Sequence, residues 1–166
     1  HKSDVGGVKL NIRDEAELRL AFETVMDNCR KNAPDAKLEG VLLKPMLKAG
    51  VEMIIGVNND KDFGPMIMVG MGGVFVELFK DVQLAPAPLT REQTKKMLES
   101  LNSYPLLNGY RGNPVCDKEA LADMLVSISE MAAKGKDSIK ELDINPVFVT
   151  EEGVAIADAL LVQYID

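Results

Sequence analysis

The chain has 166 residues, of which 46% are hydrophobic and 27% charged, as is usual for a globular protein with one core or two closely packed lobes. Its formal net charge of −7 argues against nucleic-acid and membrane-surface binding, because both require clustered positive charge. No apolar run approaches the roughly 20 residues of a membrane span, and no signal segment is recognisable. We therefore expect a cytoplasmic protein without a nucleic-acid or membrane partner, whose two cysteines, Cys29 and Cys116, are reduced.

The first part of the chain predicts one helix. The chain starts at His1 with neither a methionine nor a strand ahead of it, and we expect it to be a piece of a longer protein. From Asp14 to about Asn32, apolar residues recur at helical spacing, and Asp14 with Glu17 has the pattern of an N-cap and its N3 partner. This segment is predicted to be an amphipathic helix packed on a sheet.

The middle of the chain has the pattern of strands in hairpins. Four stretches predict strands: residues 41–43, 52–57, 66–69 and 74–78. Pro45 interrupts any ladder between the first two because it lacks a backbone donor, and the polar segment 58–63 predicts a hairpin turn. Gly70-Met-Gly-Gly73 separates the last two strands. Its glycines admit either a tight sheet connection or backbone N–H groups that approach a phosphate.

The second half predicts two further helices. Thr90 and Gln93 have the capping-box pattern for a helix that reaches Leu101. Asp117 caps a longer helix, which Gly135 ends. The apolar stripe of that helix consists of Leu121, Met124, Leu125, Ile128 and Ala132. With three helices among roughly seven or eight strands, many of them in hairpins, the chain is predicted to be α+β with a mixed or antiparallel sheet.

Residues 141–158 carry carboxylates within otherwise apolar strands, which costs free energy unless a partner compensates the charge. The side chains of residues 142–149 alternate with a period of two, which predicts a strand with two different faces, and Glu151-Glu152-Gly153 predicts the turn after it. One face is predicted to contain Leu142, Ile144 and Phe148, and the other Asp143, Asn145, Val147 and Val149.

The register of this hairpin decides its chemistry. A two-residue loop pairs Thr150 with Gly153. Asn145 then lies opposite Asp158, with Asp143 on the same face, and oxygen donors converge as the Mg²⁺ of a nucleotide requires. A three-residue loop with Gly153 in a bulge shifts the pairing by one residue and separates these side chains. A solvent-facing hairpin that carries Asp and Asn by chance is the alternative interpretation.

Four stretches carry a resemblance to a known family. They are residues 1–7 (HKSDVGG), residues 52–77 with Phe63-Gly-Pro65 and Gly70-Met-Gly-Gly73, residues 105–112 (PLLNGYRG), and Asp143-Ile-Asn145-Pro146 followed by Asp158. In this order they resemble the ATP-grasp domain of ADP-forming acyl-CoA synthetases, relatives of the succinyl-CoA synthetase β subunit. The resemblance implies an ATP-grasp fold, with residues 1–45 as the tail of its smaller N-terminal lobe and residues 46–166 as its larger C-terminal lobe.

For the site, the resemblance implies Mg²⁺ and ATP or ADP as cofactors. The implied metal ligands are Asp143, Asn145 and Asp158, and the implied nucleotide contacts are Lys44, Leu47, Glu52, Gly72 and Gly73. Lys44 stands where relatives often carry Glu or Gln, a change that backbone contacts survive. His1 matches the family's transient phosphoryl carrier, and an unprotonated imidazole nitrogen is a nucleophile near neutral pH. Arg111 matches the family's Gly-Tyr-Arg-Gly loop, and the resemblance implies that it holds a phosphate or a neighbouring subunit. By residue type alone, a terminal histidine, a strand-end Glu52 and a surface Arg111 need no such roles.

The resemblance implies that the full-length protein interconverts acyl-CoA, ADP and phosphate with a carboxylate, ATP and CoA. This part would exchange a phosphoryl group between a phosphohistidine and Mg-nucleotide, and a CoA-binding domain or subunit would carry out the acyl chemistry. The alternative is a regulatory or scaffolding ATP-grasp-like domain, as in protein acetyltransferase fusions. Asn145 and Asp158 favour the enzyme, whereas Lys44 favours the alternative. We expect the 166-residue piece alone to be folded but inactive.

Overall fold

The computed structural model describes residues 4–73 and 80–165, so the predicted strand 74–78 and His1 lie outside the described residues. The chain divides into two compact units, His1–Met46 and Leu47–Asp166. The helices are α1 (Glu15–Asn32), α2 (Arg91–Glu99), α3 (Tyr104–Leu107) and α4 (Lys118–Lys134), with a 3₁₀ turn at Tyr110–Gly112. The strands are β1 (Val51–Asp60), β2 (Gly64–Met71), β3 (Val82–Pro86), β4 (Ile139–Thr150), β5 (Gly153–Ile156) and β6 (Ala159–Gln163). None of the described helices has the length and apolar character to cross a membrane.

The first unit contains the predicted N-terminal helix. The Asp14 carboxylate accepts a hydrogen bond of 2.9 Å from the Glu17 N–H, which confirms the predicted N-cap of α1. The strand predicted at residues 41–43 is wrong, because the described part of this unit contains no strand. A strand requires a neighbouring segment that satisfies its backbone groups, and none of the described segments pairs with it. The sheet predicted beneath α1 is therefore not part of this unit.

The second unit is built on an antiparallel sheet of six strands. The strand order is β3-β2-β1-β4-β5, and β6 also pairs with β4, beyond the end of β5. Helix α4 packs on one face of the sheet and α2 packs on α4. Together with the helices, this sheet confirms the predicted α+β class and resolves the choice between mixed and antiparallel pairing.

The core lies between the helices and one face of the sheet, which we call the core face. Ile55, Ile67 and Val69 of the sheet and Leu121 and Leu125 of α4 are fully buried there. The predicted apolar stripe of α4 is thus confirmed. The predicted capping box of α2 is also present, because Thr90 and Gln93 each accept a hydrogen bond from the other's backbone N–H.

The predicted β1–β2 hairpin is confirmed, and both strands are longer than the sequence pattern indicated. Asp60 ends β1, and its carboxylate accepts hydrogen bonds from the N–H groups of Asp62 and Phe63 at 2.8 and 3.0 Å. This turn returns the chain at Gly64, and the ladder then runs from Asp60 opposite Gly64 to Met53 opposite Met71.

Strand β4 contains a bulge at Asn145-Pro146, whose peptide bond is cis. On β1, one residue separates Met53 from Ile55. On the facing stretch of β4, two residues separate their partners Val147 and Ile144. The extra residue changes the phase of the side chains, so core-facing positions have even numbers before the bulge and odd numbers after it.

The bulge overturns part of the predicted facing of β4. Val147 and Val149 were predicted to lie with Asp143 and Asn145, but both are fully buried in the core. Phe148 was predicted to lie with Leu142 and Ile144, but it lies on the opposite face and is half-buried. The prediction was wrong from residue 146 onward because strict alternation does not survive an inserted residue.

Candidate functional site

The candidate site lies on the sheet face opposite the core face, which we call the site face. Residues of a strand alternate between its two faces, and Met53, Ile55 and Val57 of β1 point into the core. Glu52 and Gly56 therefore lie on the site face. Phe148 lies directly opposite Glu52, and Asp143 directly opposite Gly56. Directly opposed residues of an antiparallel pair share a face, so Glu52 and Asp143 lie on the same side of the sheet.

Glu52 lies against the glycine pair at the end of β2. The Gly72 N–H donates a 2.7 Å hydrogen bond to the Glu52 carbonyl. A Cβ at Gly72 would lie 3.0 Å from Glu52 atoms, and one at Gly73 would lie 3.2 Å from Glu52 Oε2. Gly73 also has φ +69°, which a side chain would strain. Three of the residues predicted to contact a nucleotide are therefore adjacent.

The β4–β5 hairpin has the register of the predicted two-residue loop. Thr150 pairs with Gly153. At the far end, the Asn145 N–H donates to the Asp158 carbonyl at 3.1 Å, and the Ala157 N–H donates to the Pro146 carbonyl at 3.0 Å. The register alternative with a three-residue loop is thus excluded, and the backbones of Asn145 and Asp158 lie side by side.

The donor set of this hairpin fits a magnesium ion that also binds phosphates. Within residues 4–73 and 80–165, no three His, Cys, Asp or Glu side chains are close enough together to hold a metal ion by themselves. The hairpin offers the exposed oxygens of Asp143, Asn145 and Asp158, two carboxylates and one amide. Mg²⁺ typically takes one or two protein carboxylates and completes its shell with waters and substrate phosphates.

The segment before β1 is fastened to the tip of this hairpin. Lys48 Nζ donates to Glu151 at 2.8 Å and to Glu152 at 3.1 Å. These hydrogen bonds raise the pKa of Lys48 and lower the pKa of Glu151. Gly50 lies so close to the Val149 carbonyl that any side chain there would clash. Sequence reasoning missed Lys48, because no local pattern links residues that are 103 positions apart.

A shallow cavity of about 200 Å³ lies beside Glu52 on the site face. Its lining consists of Lys48, Phe148, Thr150, Glu152, Gly153, Val154 and Ala155. Phe148 and Ala155 form an apolar floor next to Glu52, and Lys48 with Glu152 forms a charged rim. Leu47, one of the predicted nucleotide contacts, is adjacent to Lys48 and 38% exposed.

The predicted site residues thus fall into three groups. Glu52, Gly72 and Gly73 meet at one place, and the hairpin residues at a second place on neighbouring strands. The position opposite Asp143 is Gly56, four positions after Glu52 on β1, which corresponds to roughly 13 Å along the strand. Lys44 belongs to the first unit, and His1 lies outside the described residues.

Comparison with known sequences assigns the chain to a family. A model of the ATP-grasp domain matches residues 1–162. The acetate–CoA ligase (ADP-forming) I subunit beta of Pyrococcus furiosus is 46% identical over 162 residues, which are 98% of this chain and 69% of that protein. The 4-hydroxybutyrate–CoA ligase (ADP-forming) of Nitrosopumilus maritimus is 43% identical over 153 residues, which are 92% of this chain and 22% of that protein.

Solved structures agree with this assignment. An acetyl-coenzyme A synthetase from Ca. Korarchaeum cryptofilum, in complex with coenzyme A, Ca-AMPCP and HgCl⁺, superposes with a TM-score of 0.93 at 41% identity, over 98% of this chain and 70% of that one. A second structure of this synthetase contains coenzyme A and Mg-AMPPCP, with the phosphohistidine segment pointing towards the nucleotide binding site. It gives a TM-score of 0.87 at 38% identity, over 99% of this chain and 71% of that one. Because sequence and fold match over nearly its whole length, this chain belongs to the ATP-grasp domain family.

Proposed function

We propose that this chain is the nucleotide-binding ATP-grasp part of an ADP-forming acyl-CoA synthetase. The observation that carries the proposal is the site face, where Glu52 with its glycine pair and the Asp143–Asp158 hairpin occupy neighbouring strands. The full-length protein would interconvert acyl-CoA, ADP and phosphate with a carboxylate, ATP and CoA. The names of the ligases that match nearly this whole chain support an enzyme over a regulatory domain.

Phosphoryl transfer depends on positioning and on neutralisation of phosphate charge. The Glu52 carboxylate accepts hydrogen bonds only, so it would orient a nucleotide through hydroxyl groups of the ligand. Gly72 and Gly73 would let their backbone lie against Glu52 and so fix the position of its carboxylate. Leu47 and the backbone at Lys44 would contact the base. Asp143, Asn145 and Asp158 would hold the Mg²⁺ that neutralises the phosphates.

His1 would be the phosphoryl acceptor. Its unprotonated ring nitrogen forms a bond to the terminal phosphorus of ATP as the bond from that phosphorus to the bridging oxygen breaks, and ADP leaves with that oxygen. The reverse step makes ATP from ADP and the phosphohistidine. A CoA-binding domain or subunit would carry the acyl chemistry, and the proposed location is the cytoplasm. The assignment of residues 1–45 and 46–166 to the smaller and larger lobes is part of the same proposal.

The first test concerns His1 in the full-length protein. Incubation with Mg-ATP should phosphorylate it, giving a product that is labile in acid and stable in base. His1→Ala should abolish acyl-CoA synthesis while the melting temperature stays unchanged, because the substitution removes the nucleophile. Acyl-CoA synthesis that persists in His1→Ala would contradict the proposed carrier.

A second test concerns Asp158. Asp158→Asn keeps the shape of an exposed side chain, so the full-length protein should fold normally. Its phosphoryl transfer should fall about a hundredfold, because one negative charge near the metal is lost. Asp62→Asn, which removes the same charge from the exposed β1–β2 turn, is the control and should leave the rate unchanged. Full activity of Asp158→Asn at ordinary Mg²⁺ concentration would mean that Asp158 is only a strand residue.

A further inference from the structure

The loop between α2 and α4 differs in charge from the rest of this acidic chain. No Asp or Glu lies between Glu99 and Asp117, although the chain contains 26 acidic residues. Two cation–π contacts are present in the described ranges, and the tyrosine rings of both belong to this loop. Arg111 lies over the Tyr110 ring at 5.4 Å, and Lys118 lies over the Tyr104 ring at 5.6 Å. We call these four side chains the tyrosine–cation surface.

The two cations of this surface have no carboxylate partner among the described residues. Every other arginine of the chain has one: Arg13 pairs with Glu17, Arg19 with Glu15, Arg30 with Asp27, and Arg91 with Glu119 and Asp123. Lys118 donates to the Asn108 side-chain oxygen instead. In a chain with a net charge of −7, an exposed Arg111 that remains unpaired is available to an anionic partner.

The backbone holds Arg111 in an uncommon conformation. Arg111 has φ 56°, between Gly109 with φ 82° and Gly112 with φ 83°. Residues other than glycine rarely adopt this left-handed conformation, and such strain persists where the surroundings enforce it, often at functional positions. The loop is anchored by the fully buried Leu107, whose carbonyl accepts a 3.0 Å hydrogen bond from the Cys116 N–H. The backbone that carries the Arg111 guanidinium is therefore held in place.

A cavity beside Tyr110 adds an apolar component to this surface. It has a volume of about 310 Å³ and is lined by Asn102, Ser103, Pro105, Leu106 and Tyr110. The backbone N–H groups of Asn102 and Ser103 are already bound by the buried Asp81 carboxylate, at 2.8 and 2.7 Å. Because these donors are occupied, the cavity offers an apolar side chain more than it offers a small anion.

We propose that the tyrosine–cation surface docks an acidic segment of a partner polypeptide. Carboxylates of that segment pair with Arg111 and Lys118, and an apolar side chain enters the cavity beside Tyr110. Charge complementarity selects the carboxylates, because neither cation has a carboxylate partner among the described residues. Tyrosine and arginine are also the residues that carry most binding energy in protein interfaces. This surface shares no residue with the proposed nucleotide site and goes beyond the proposed function.

Zero-length cross-linking tests the proposal. A carbodiimide joins a lysine amine directly to a carboxylate that touches it, so the full-length protein, purified with its accompanying polypeptides, is treated with the carbodiimide and digested for mass spectrometry. Lys118 should be linked to an Asp or Glu of an accompanying polypeptide. A Lys118 that remains unlinked, or is linked only to carboxylates of its own polypeptide, overturns the proposal.

The variant Arg111→Gly separates docking from folding. Glycine adopts the conformation of residue 111 without strain, so the melting temperature should stay the same or rise. The yield of the Lys118 cross-link should fall about tenfold, as expected when an interface arginine is lost. Arg91→Ala removes an arginine that is already paired and should leave the yield unchanged. A lower melting temperature with an unchanged cross-link yield would assign Arg111 a structural role only.

Two other occupants are distinguishable in the same experiment. Inorganic phosphate added before the carbodiimide should not reduce the Lys118 link, whereas a large reduction would identify a small-anion site and overturn the proposal. A mixture of ¹⁵N-labelled and unlabelled protein reports contacts between copies. Links from Lys118 of one isotope to residues 1–166 of the other would show that a second copy is the occupant, and the proposal would fail.

Discussion

Asp81 shows how one buried charge is made compatible with the fold. It is 7% exposed, and its carboxylate accepts hydrogen bonds from the Asn102 and Ser103 N–H groups and from the Asn102 side chain. Burial raises the pKa of Asp81, but the hydrogen bonds from Ser103 and Asn102 outweigh burial and hold its pKa below the ordinary value of 3.8. The carboxylate thereby fastens the loop after α2 to the start of β3.

We expect Asp81→Asn to lower the free energy of unfolding near pH 7 by about 1–3 kcal/mol, because the charged acceptor is lost. Since the pKa is lowered in the folded state, this stabilisation is present above pH 3.8 and is lost as the pH falls through the folded-state pKa. Urea titrations of the unsubstituted protein and of Asp81→Asn should therefore give a difference in unfolding free energy that narrows towards acidic pH. A difference that is independent of pH would show that the charge of Asp81 contributes nothing.

Gly73 offers a test of the Glu52 position at the same scale. Gly73→Ala introduces left-handed strain of about 1 kcal/mol and a Cβ that lies 3.2 Å from Glu52 Oε2. Gly64→Ala is the matched control, because Gly64 has φ 72° and no atom within 4 Å of the added Cβ. Both variants should lose similar stability, measured by urea unfolding.

The nucleotide affinity of the full-length protein should distinguish these two variants. Isothermal titration with Mg-ADP should show weaker binding for Gly73→Ala only, because only this variant displaces the Glu52 carboxylate. Equal affinities would place the nucleotide away from Glu52.

At the scale of the secondary-structure element, β4 contributes to both the core and the site. Its core-facing residues switch from Leu142 and Ile144 to Val147 and Val149 across the bulge. The residues between these two pairs, Asn145 and Pro146, are therefore released from the alternation and bond to the backbone of Asp158 and Ala157, respectively. Because of the bulge, β4 contributes apolar side chains to the core on both sides of Asn145-Pro146 and also contributes Asn145 to the candidate site.

Adjacent residues of β4 should respond differently to one added hydroxyl. Val147→Thr places a hydroxyl in the core without a ready partner and should cost about 1–3 kcal/mol of unfolding free energy. Phe148→Tyr adds a hydroxyl on the site face, where the ring lines an open cavity, and should cost less than about 0.5 kcal/mol. Chemical denaturation measures both. A larger cost for Phe148→Tyr than for Val147→Thr would mean that Phe148 faces the core and Val147 the site face, as strict alternation predicts.

The elements that were predicted correctly are those with local causes. The caps Asp14, Thr90 and Asp117 lie within three residues of the N–H groups that they bind, so a short window of sequence contains the whole interaction. The hairpin register was left open, because the sequence allowed either a two-residue loop or a three-residue loop with Gly153 in a bulge, and only the structure shows that Thr150 pairs with Gly153. The caps required no knowledge of the tertiary structure.

The elements that were missed depend on distant partners. The bulge of β4 is defined by its mismatch with β1, about ninety residues earlier in the chain. Residues 41–43 have strand-forming side chains but no described partner strand, and Lys48 meets Glu151 only after the sheet has formed. For the candidate site, the sequence therefore did not indicate the face on which Phe148 lies.

At the scale of the whole molecule, the two units differ in how much apolar surface they bury. The connected core cluster contains only residues of the second unit, from Met53 to Val149. In the first unit, Val25 is the one buried residue of α1, all of which the structure describes, while Leu20 and Phe22 remain exposed. The second unit is therefore expected to determine the global stability of the chain.

Native-state hydrogen exchange should separate the units. Amides of β1 and α4 should exchange only through global unfolding, because their side chains form the core. Amides of α1 should exchange through local opening with a much smaller free energy, since little burial holds that helix. Protection of α1 equal to that of β1 would show that the two units unfold as one.

The bulge of β4 also restricts how the length of this chain can change over evolution. If one residue were deleted between Ile144 and Val147, the two valines would turn to the site face and Phe148 would turn into the core. An insertion there would have the same effect, whereas an insertion at the exposed turn Glu151-Glu152 changes only the reach of the loop. Among homologous chains, gaps should therefore accumulate at the hairpin tip and be absent from the dipeptide Asn145-Pro146.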